Sequence, residues 1–124
     1  MTPIDVVNKL IDAWVAQDWQ AATDIFAADG CLELVPTRQK FIGHADIRSH
    51  LDEMAGGIET LEFVTTTLVA ADNIVTFERI DKFVYNGKPA QVPCVGVFEI
   101  AGDKVKHWRE YFDGFTMGKA VGRI

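Results

Sequence analysis

The sequence predicts an α+β fold, with about three N-terminal helices packed on a strongly curved, mixed and mostly antiparallel sheet that encloses a pocket. Two observations predict it. Helical periodicity is confined to the first half of the chain, and from Ile58 to Phe112 the chain reads as long runs rich in Val, Thr, Ile and Phe, separated by tight-turn signals. A length of 124 residues adds a bound: it suits one domain spanning residues 1–124 with one sizeable core.

The elements follow in order. Thr2, Pro3 and Asp5 supply a capping hydroxyl, a proline for the first helical turn and an early carboxylate, so a helix starts there. Ile4, Val7, Ile11, Trp14 and Val15 continue it at helical spacing. Asp18 is placed to cap a second helix carrying Trp19, Ala22, Ile25 and Phe26, in a unit that Gly30 ends. Cys31 to Val35 reads as a short apolar strand stopped by Pro36, and Thr37 to Lys40 as a polar loop. Ala45 to Met54 predicts a third helix, with Ile47, Leu51 and Met54 on one side and Gly56-Gly57 as its stop. Strands follow at Ile58 to Val69, Ile74 to Tyr85, Lys88 to Ile100 and Lys104 to Phe112. Turns fall at Ala70 to Asn73, at Asn86-Gly87 (a type I′ hairpin signal) and at Gly102-Asp103. The tail from Gly114 to Ile124 carries no clear pattern.

A net charge of −6 argues against nucleic acid or an anionic membrane surface as partner, since both select basic surfaces. Cys31 and Cys94 each sit in an apolar run, and two cysteines are too few for a disulfide framework; both are expected as buried free thiols of a cytoplasmic protein. The N-terminus lacks the basic start and apolar run of a signal peptide, and no apolar run has the length to cross a bilayer.

The chemistry concentrates in the stretch "FERIDKF", Phe77 to Phe83. Side chains alternate along a strand, so Val75, Phe77, Arg79, Asp81, Phe83 and Tyr85 share one face. This face is the more aromatic and is expected to point inward, which buries Arg79 and Asp81 together. On the last strand Lys106, Trp108, Glu110 and Phe112 share a face, so Glu110 is expected in the same interior. A neighbouring strand would then set one guanidinium between two carboxylates. Like charges near one site raise the proton affinity of one of them, leaving an acid and a base a short distance apart. Spacing alone leaves two alternatives: a structural ion cluster at the mouth of the sheet, or the opposite face inward with Arg79 and Asp81 at the surface.

Three motifs, "ERID" at 78–81, "GVFEI" at 96–100 and "WREYFD" at 108–113, together resemble the limonene-1,2-epoxide hydrolase family. That family lies within the cone-shaped nuclear transport factor 2-like (NTF2-like) superfamily, with the ketosteroid isomerases and the SnoaL-type polyketide cyclases. The Phe-Ala-x-Asp-Gly segment at Phe26 to Gly30 fits the superfamily. The resemblance implies cofactor-free hydrolysis of an epoxide in one step. Asp81 would be the acid, Glu110 the base, in place of the family's aspartate, and Arg79 the bridge. It also implies a homodimer. Where the family holds its water with a tyrosine and an asparagine, this chain has Leu32 and Leu34. The alternatives are an isomerase or cyclase of the ketosteroid-isomerase or SnoaL kind, and a non-catalytic small-molecule-binding module.

The expected pocket lining is Leu32, Leu34, Phe77, Phe83, Trp108 and Phe112, which suits a small apolar substrate with water as second reactant. Trp14, Met54, Phe63 and Phe98 read as core or lining. His44, His50 and His107 are scattered and expected to be solvated, so no metal site is expected. Lys104-Val105-Lys106 reads as a solvated strand face, and Gly96 as a bulge, a bend or a place where a ligand comes close.

Overall fold

In the computed structural model, residues 1–123 are described; Ile124 lies outside them. Four helices pack on a six-stranded mixed sheet. The helices are α1 (Pro3–Val15), α2 (Trp19–Ile25), α3 (Gly43–Ala55) and α4 (Gly114–Ala120). The strands are β1 (Phe26–Leu34), β2 (Gln39–Ile42), β3 (Ile58–Ala71), β4 (Ile74–Tyr85), β5 (Lys88–Ala101) and β6 (Lys104–Phe112). Their spatial order is β2-β1-β6-β5-β4-β3, with β1 and β6 parallel and every other pair antiparallel.

The expected caps form. Thr2 and Asp5 make a reciprocal capping box: Asp5 N donates to Thr2 Oγ1 at 3.2 Å, and Thr2 N donates to Asp5 Oδ2 at 2.9 Å. Asp18 Oδ1 accepts from Ala21 N at 3.1 Å and starts α2. Helix α1 buries Val6, Val7, Leu10, Ile11 and Trp14 against the concave side of the sheet, where Val75, Phe77, Phe98, Val105 and Trp108 meet them. The Asn86-Gly87 turn has positive φ at both residues, as its type requires.

Several expectations are corrected. The α2 unit does not run to Gly30: the chain turns extended at Phe26, which pairs with Val105 in the parallel ladder. Gly30 lies in a register break of that ladder, where a Cβ would stand 3.0 Å from the carbonyl oxygens of both Ala27 and Val105. The polar segment at 37–40 is not simply a loop, because Gln39–Ile42 folds back as the edge strand β2, with Leu34 opposite Gln39. Edge strands leave their side chains in water, so no alternation announced it. Helix α3 begins two residues early, at Gly43, and β3 extends to Ala71, which shortens the following turn to Asp72-Asn73. The tail forms α4, whose capping residue Asp113 accepts from Phe115 N at 2.9 Å and Thr116 N at 3.1 Å.

Two corrections bear on the interior. The β5–β6 register skips at Lys106, with Glu99 opposite His107 and Ile100 opposite Val105. This bulge turns Lys106 outward and buries Val105, so the Lys-Val-Lys stretch is not uniformly solvated. Second, β4 and β6 are not neighbours: β5 lies between them. Of the two thiols, Cys94 is buried and Cys31 only half-buried, because Cys31 pairs toward the edge strand; both are free.

Candidate active site

The β4 face carrying Val75, Phe77, Arg79, Asp81 and Phe83 is the buried one, and Glu110 on β6 faces the same interior. Across the sheet, Arg79 stands opposite Cys94, which stands opposite Phe112. In the next row Phe77 faces Gly96, and Gly96 faces Glu110. Arg79 therefore reaches Glu110 by crossing β5 where that strand carries only a thiol and a hydrogen.

The guanidinium is 1% exposed and spans both carboxylates. Its Nε donates to Asp81 Oδ1 at 2.7 Å and its Nη2 to Asp81 Oδ2 at 3.1 Å. Toward Glu110, Nη1 donates to Oε1 at 3.0 Å and Nη2 to Oε2 at 2.5 Å. The planar fork is matched by two bidentate acceptors, a geometry open to arginine and not to lysine. Aromatic rings close the faces of the cation, with the Phe63 centroid 4.4 Å, the Phe77 centroid 5.4 Å and the Trp108 centroid 5.9 Å from Cζ. Asp81 and Glu110 keep 8% and 9% of their surface in contact with solvent, so the carboxylates, not the arginine, face the way out.

Two negative charges on one positive leave the cluster short of a cation, and burial makes that shortage costly. Desolvation pushes the Asp81 carboxyl up to about 6; the Arg79 charge opposes this, and repulsion from Glu110 adds to it. Burial also works against the Arg79 charge, but Glu110 and then Asp81 outweigh it and hold the guanidinium more firmly protonated than usual. Burial, Asp81 and Glu110 together push the Cys94 thiol up, so it stays protonated and donates to Asp81 Oδ2 at 3.5 Å and Val92 O at 3.4 Å. A carboxyl that titrates near neutrality beside a second carboxyl can exchange protons with a bound molecule.

The remaining site residues fall in different places. Leu32, Phe77 and Trp108 are packed in the main core, and Leu34 is half-buried. In the parallel ladder Leu32 stands beside Trp108 and Leu34 beside Glu110. Phe83, Val92 and Cys94 form a second apolar cluster, covered by Phe112 and by Met117, Ala120 and Val121 at the C-terminal end. Two open clefts lie mainly on the opposite, outer face of the sheet: one of about 530 Å³ is lined chiefly by Thr66, Glu78, Ile80, Pro93, Val95 and Tyr111, and one of about 450 Å³ chiefly by Thr60, Glu62, Lys82, Val84, Pro89 and Gln91.

The histidines are corrected as a group, since none is simply solvated. His44 Nε2 donates to Phe26 O at 2.8 Å, His50 stacks on Phe41 with centroids 4.1 Å apart, and His107 Nε2 lies 2.9 Å from Glu33 Oε1 on the outer face. Burial holds the His50 pKa low. No set of three or more His, Cys, Asp and Glu side chains converges on a point suited to a metal among the described residues. Gly96 is neither bulge nor bend, because the ladder runs unbroken through it; a Cβ there would lie 2.8 Å from Phe98 Cε1 and 2.9 Å from Trp108 Nε1. The roles of Cys94 and Gly96 escaped sequence reading. Their signal, two small residues alternating on a strand, has meaning only once that strand is known to lie under Arg79.

Residues 7–108 match the SnoaL-like domain family. Among solved structures, a LEH-like epoxide hydrolase of M. tuberculosis shares 25% identity, with 98% of this chain and 90% of that one covered and a TM-score of 0.82. A Catenulispora acidiphila protein with a ketosteroid isomerase-like fold, bound to trimethylamine, shares 21% identity over 94% and 92% of the two chains, with a TM-score of 0.84. A candidate SnoaL-like polyketide cyclase of Shewanella denitrificans shares 15% identity over 98% of both, with a TM-score of 0.87. The two lower identities speak for the fold alone.

Proposed function

The chain belongs to the SnoaL-like domain family, and within that family we propose that it hydrolyses a small, largely apolar epoxide to a diol, with Arg79, Asp81 and Glu110 as the reacting group. One observation carries this reading: a single buried arginine holds two carboxylates side by side, one of them pushed up to about 6. Glu110 takes a proton from water as the water oxygen attacks an epoxide carbon. The carbon–oxygen bond of the ring breaks, and Asp81 gives its proton to the leaving oxygen. The product carries both hydroxyls, Glu110 is left protonated and Asp81 ionised, and proton return to Asp81 resets the pair. Arg79 keeps the carboxylates in register and does not itself titrate.

The reading is supported by the LEH-like epoxide hydrolase among similar structures and by the apolar surroundings of the carboxylates. The two apolar clusters favour a substrate of hydrocarbon character with one oxygen. Outward-facing Ile80, Pro93, Val95 and Tyr111 form an apolar patch on the outer face of β4 to β6, edged by Thr66 and Glu78, that suits a second copy of the chain. The test is incubation with a panel of small cyclic epoxides in oxygen-18 water. Diol carrying one labelled oxygen supports hydrolysis, and no diol from any epoxide refutes it.

A second reading is an isomerase or cyclase that shuttles a proton through one carboxylate and needs no held water. It is favoured by the leucines at 32 and 34, which place hydrocarbon beside Trp108 and Glu110. Deuterium exchange into an enolisable ketone, without epoxide turnover, would select it.

A further inference from the structure

Trp108 Nε1 is buried and has no hydrogen-bond partner, and no other buried side-chain nitrogen or oxygen among the described residues is left so. Orphaning a buried N–H costs about 1–3 kcal/mol, so the donor calls for an explanation. Its ring is fixed on several sides: Trp14 lies edge-on at 4.8 Å, Phe98 at 4.7 Å, and Phe26 stacks at 6.4 Å. The indole cannot swing to find an acceptor elsewhere. Its nitrogen lies over Gly96, since a Cβ at that position would come within 2.9 Å of Nε1. Gly96 is the residue directly opposite Glu110 in the β5–β6 ladder, and Trp108 precedes Glu110 by two on the same face. The unpaired donor thus belongs to the floor on which Glu110 and Arg79 meet, and glycine leaves it without a side-chain cover.

We propose that Trp108 Nε1–H is the donor that orients the reacting water, the task for which Leu32 and Leu34 offer no polar atom. The inference rests on the hydrolase reading. An indole nitrogen only donates, so it cannot remove a proton and its role is orientation. The water oxygen accepts from Trp108 with one lone pair, directs the other at the epoxide carbon, and gives a proton to Glu110. After ring opening the same oxygen is one hydroxyl of the diol, so the diol meets the N–H as well.

The test uses the chain labelled with nitrogen-15, whose three tryptophans give three indole N–H resonances. Trp108→Phe keeps an aromatic ring, though a smaller one, removes the N–H and identifies the Trp108 signal by its loss. On titration with cyclohexane-trans-1,2-diol the Trp108 resonance should move downfield while those of Trp14 and Trp19 stay. The variant should also lower kcat by roughly 10- to 100-fold, the scale for losing one positioned donor, with KM nearly unchanged; the void left by the smaller ring should lower thermal melting, so turnover is compared well below both melting temperatures. A Trp108 resonance that ignores the diol, or a variant that turns over epoxide at the parent rate, overturns the inference. If the parent opens no epoxide, the hydrolase reading fails on that account, and the resonance alone decides whether the N–H meets a ligand oxygen.

Discussion

Arg79 and Glu110 pair across an intervening strand, with Nη1 to Oε1 at 3.0 Å and Nη2 to Oε2 at 2.5 Å, above the small residues Cys94 and Gly96 of β5. The pairing is long-range in sequence and holds the two sides of the site together.

Replacing Arg79 separates its two roles. Lysine keeps a charge but cannot fill four acceptor positions at once, so Arg79→Lys should lower kcat/KM by roughly 100-fold or more. Arg79→Met leaves both carboxylates buried and unpaired, which should cost about 3–5 kcal/mol of folding stability at neutral pH. Lowering the pH neutralises Asp81, whose carboxyl is pushed up to about 6 even beside Arg79, so the loss should shrink as pH falls through that value. Urea unfolding at several pH values measures this, and a penalty independent of pH would contradict the account.

The reaction should depend on an acid that titrates with Asp81. With its carboxyl at about 6, the proton needed by the leaving oxygen is lost as pH rises, so kcat/KM should fall about tenfold per unit once pH is well above that value. The same group biases stability. Folded Asp81 keeps its proton up to about 6 against a usual 3.8, so folding takes up a proton between those values. Its stabilising effect is therefore full below 3.8, declines as pH rises toward 6 and is level above. The decline attributable to Asp81 is at most about 3 kcal/mol. Comparison of the parent with Asp81→Asn over that range isolates it from the other carboxylates.

Glu110→Gln keeps the shape of the side chain but cannot accept a proton from water. Turnover should drop by roughly 100- to 10,000-fold with the fold intact. Because Glu110 repulsion helps hold Asp81 up, the variant's Asp81 should titrate lower than the parent's. Carbon-13 NMR of the carboxyl signals would read this directly, and an unmoved or raised Asp81 titration would count against coupling between the two.

Gly96→Ala should destabilise the fold by about 1–3 kcal/mol, because its methyl would press on Phe98 and Trp108, which are themselves fixed by packing. Denaturant unfolding tests this; a neutral result would mean the aromatic layer yields more readily than its contacts indicate.

The helices-then-sheet order and the three charged residues could be read from sequence because each rests on a local pattern. Thr2 and Asp5 cap α1 through neighbours three apart, and Arg79 and Asp81 alternate with Phe77 and Phe83 on a single strand. What escaped depends on distant partners. Strand β2 is defined by pairing with β1 and not by its own composition. Lys106 turns outward because the ladder slips by one residue, and Phe26 is strand because Val105 lies beside it. Helix α4 is short, has no fully buried residue and contains Gly118, so its periodicity is faint. The leucines at 32 and 34 were visible, but their neighbours Trp108 and Glu110 follow only from the parallel pairing of β1 with β6.

That parallel pairing has a consequence for synthesis on the ribosome. The strand made last is seated between β1, from the first third of the chain, and β5. Until it emerges, the sheet is two fragments with open edges, and Arg79 has only Asp81 to answer its charge. Nascent chains stalled before Lys104 should therefore be protease-sensitive, and chains with β6 free of the exit tunnel resistant. Resistance already present in the shorter chains would mean that β3 to β5 stand without their last partner.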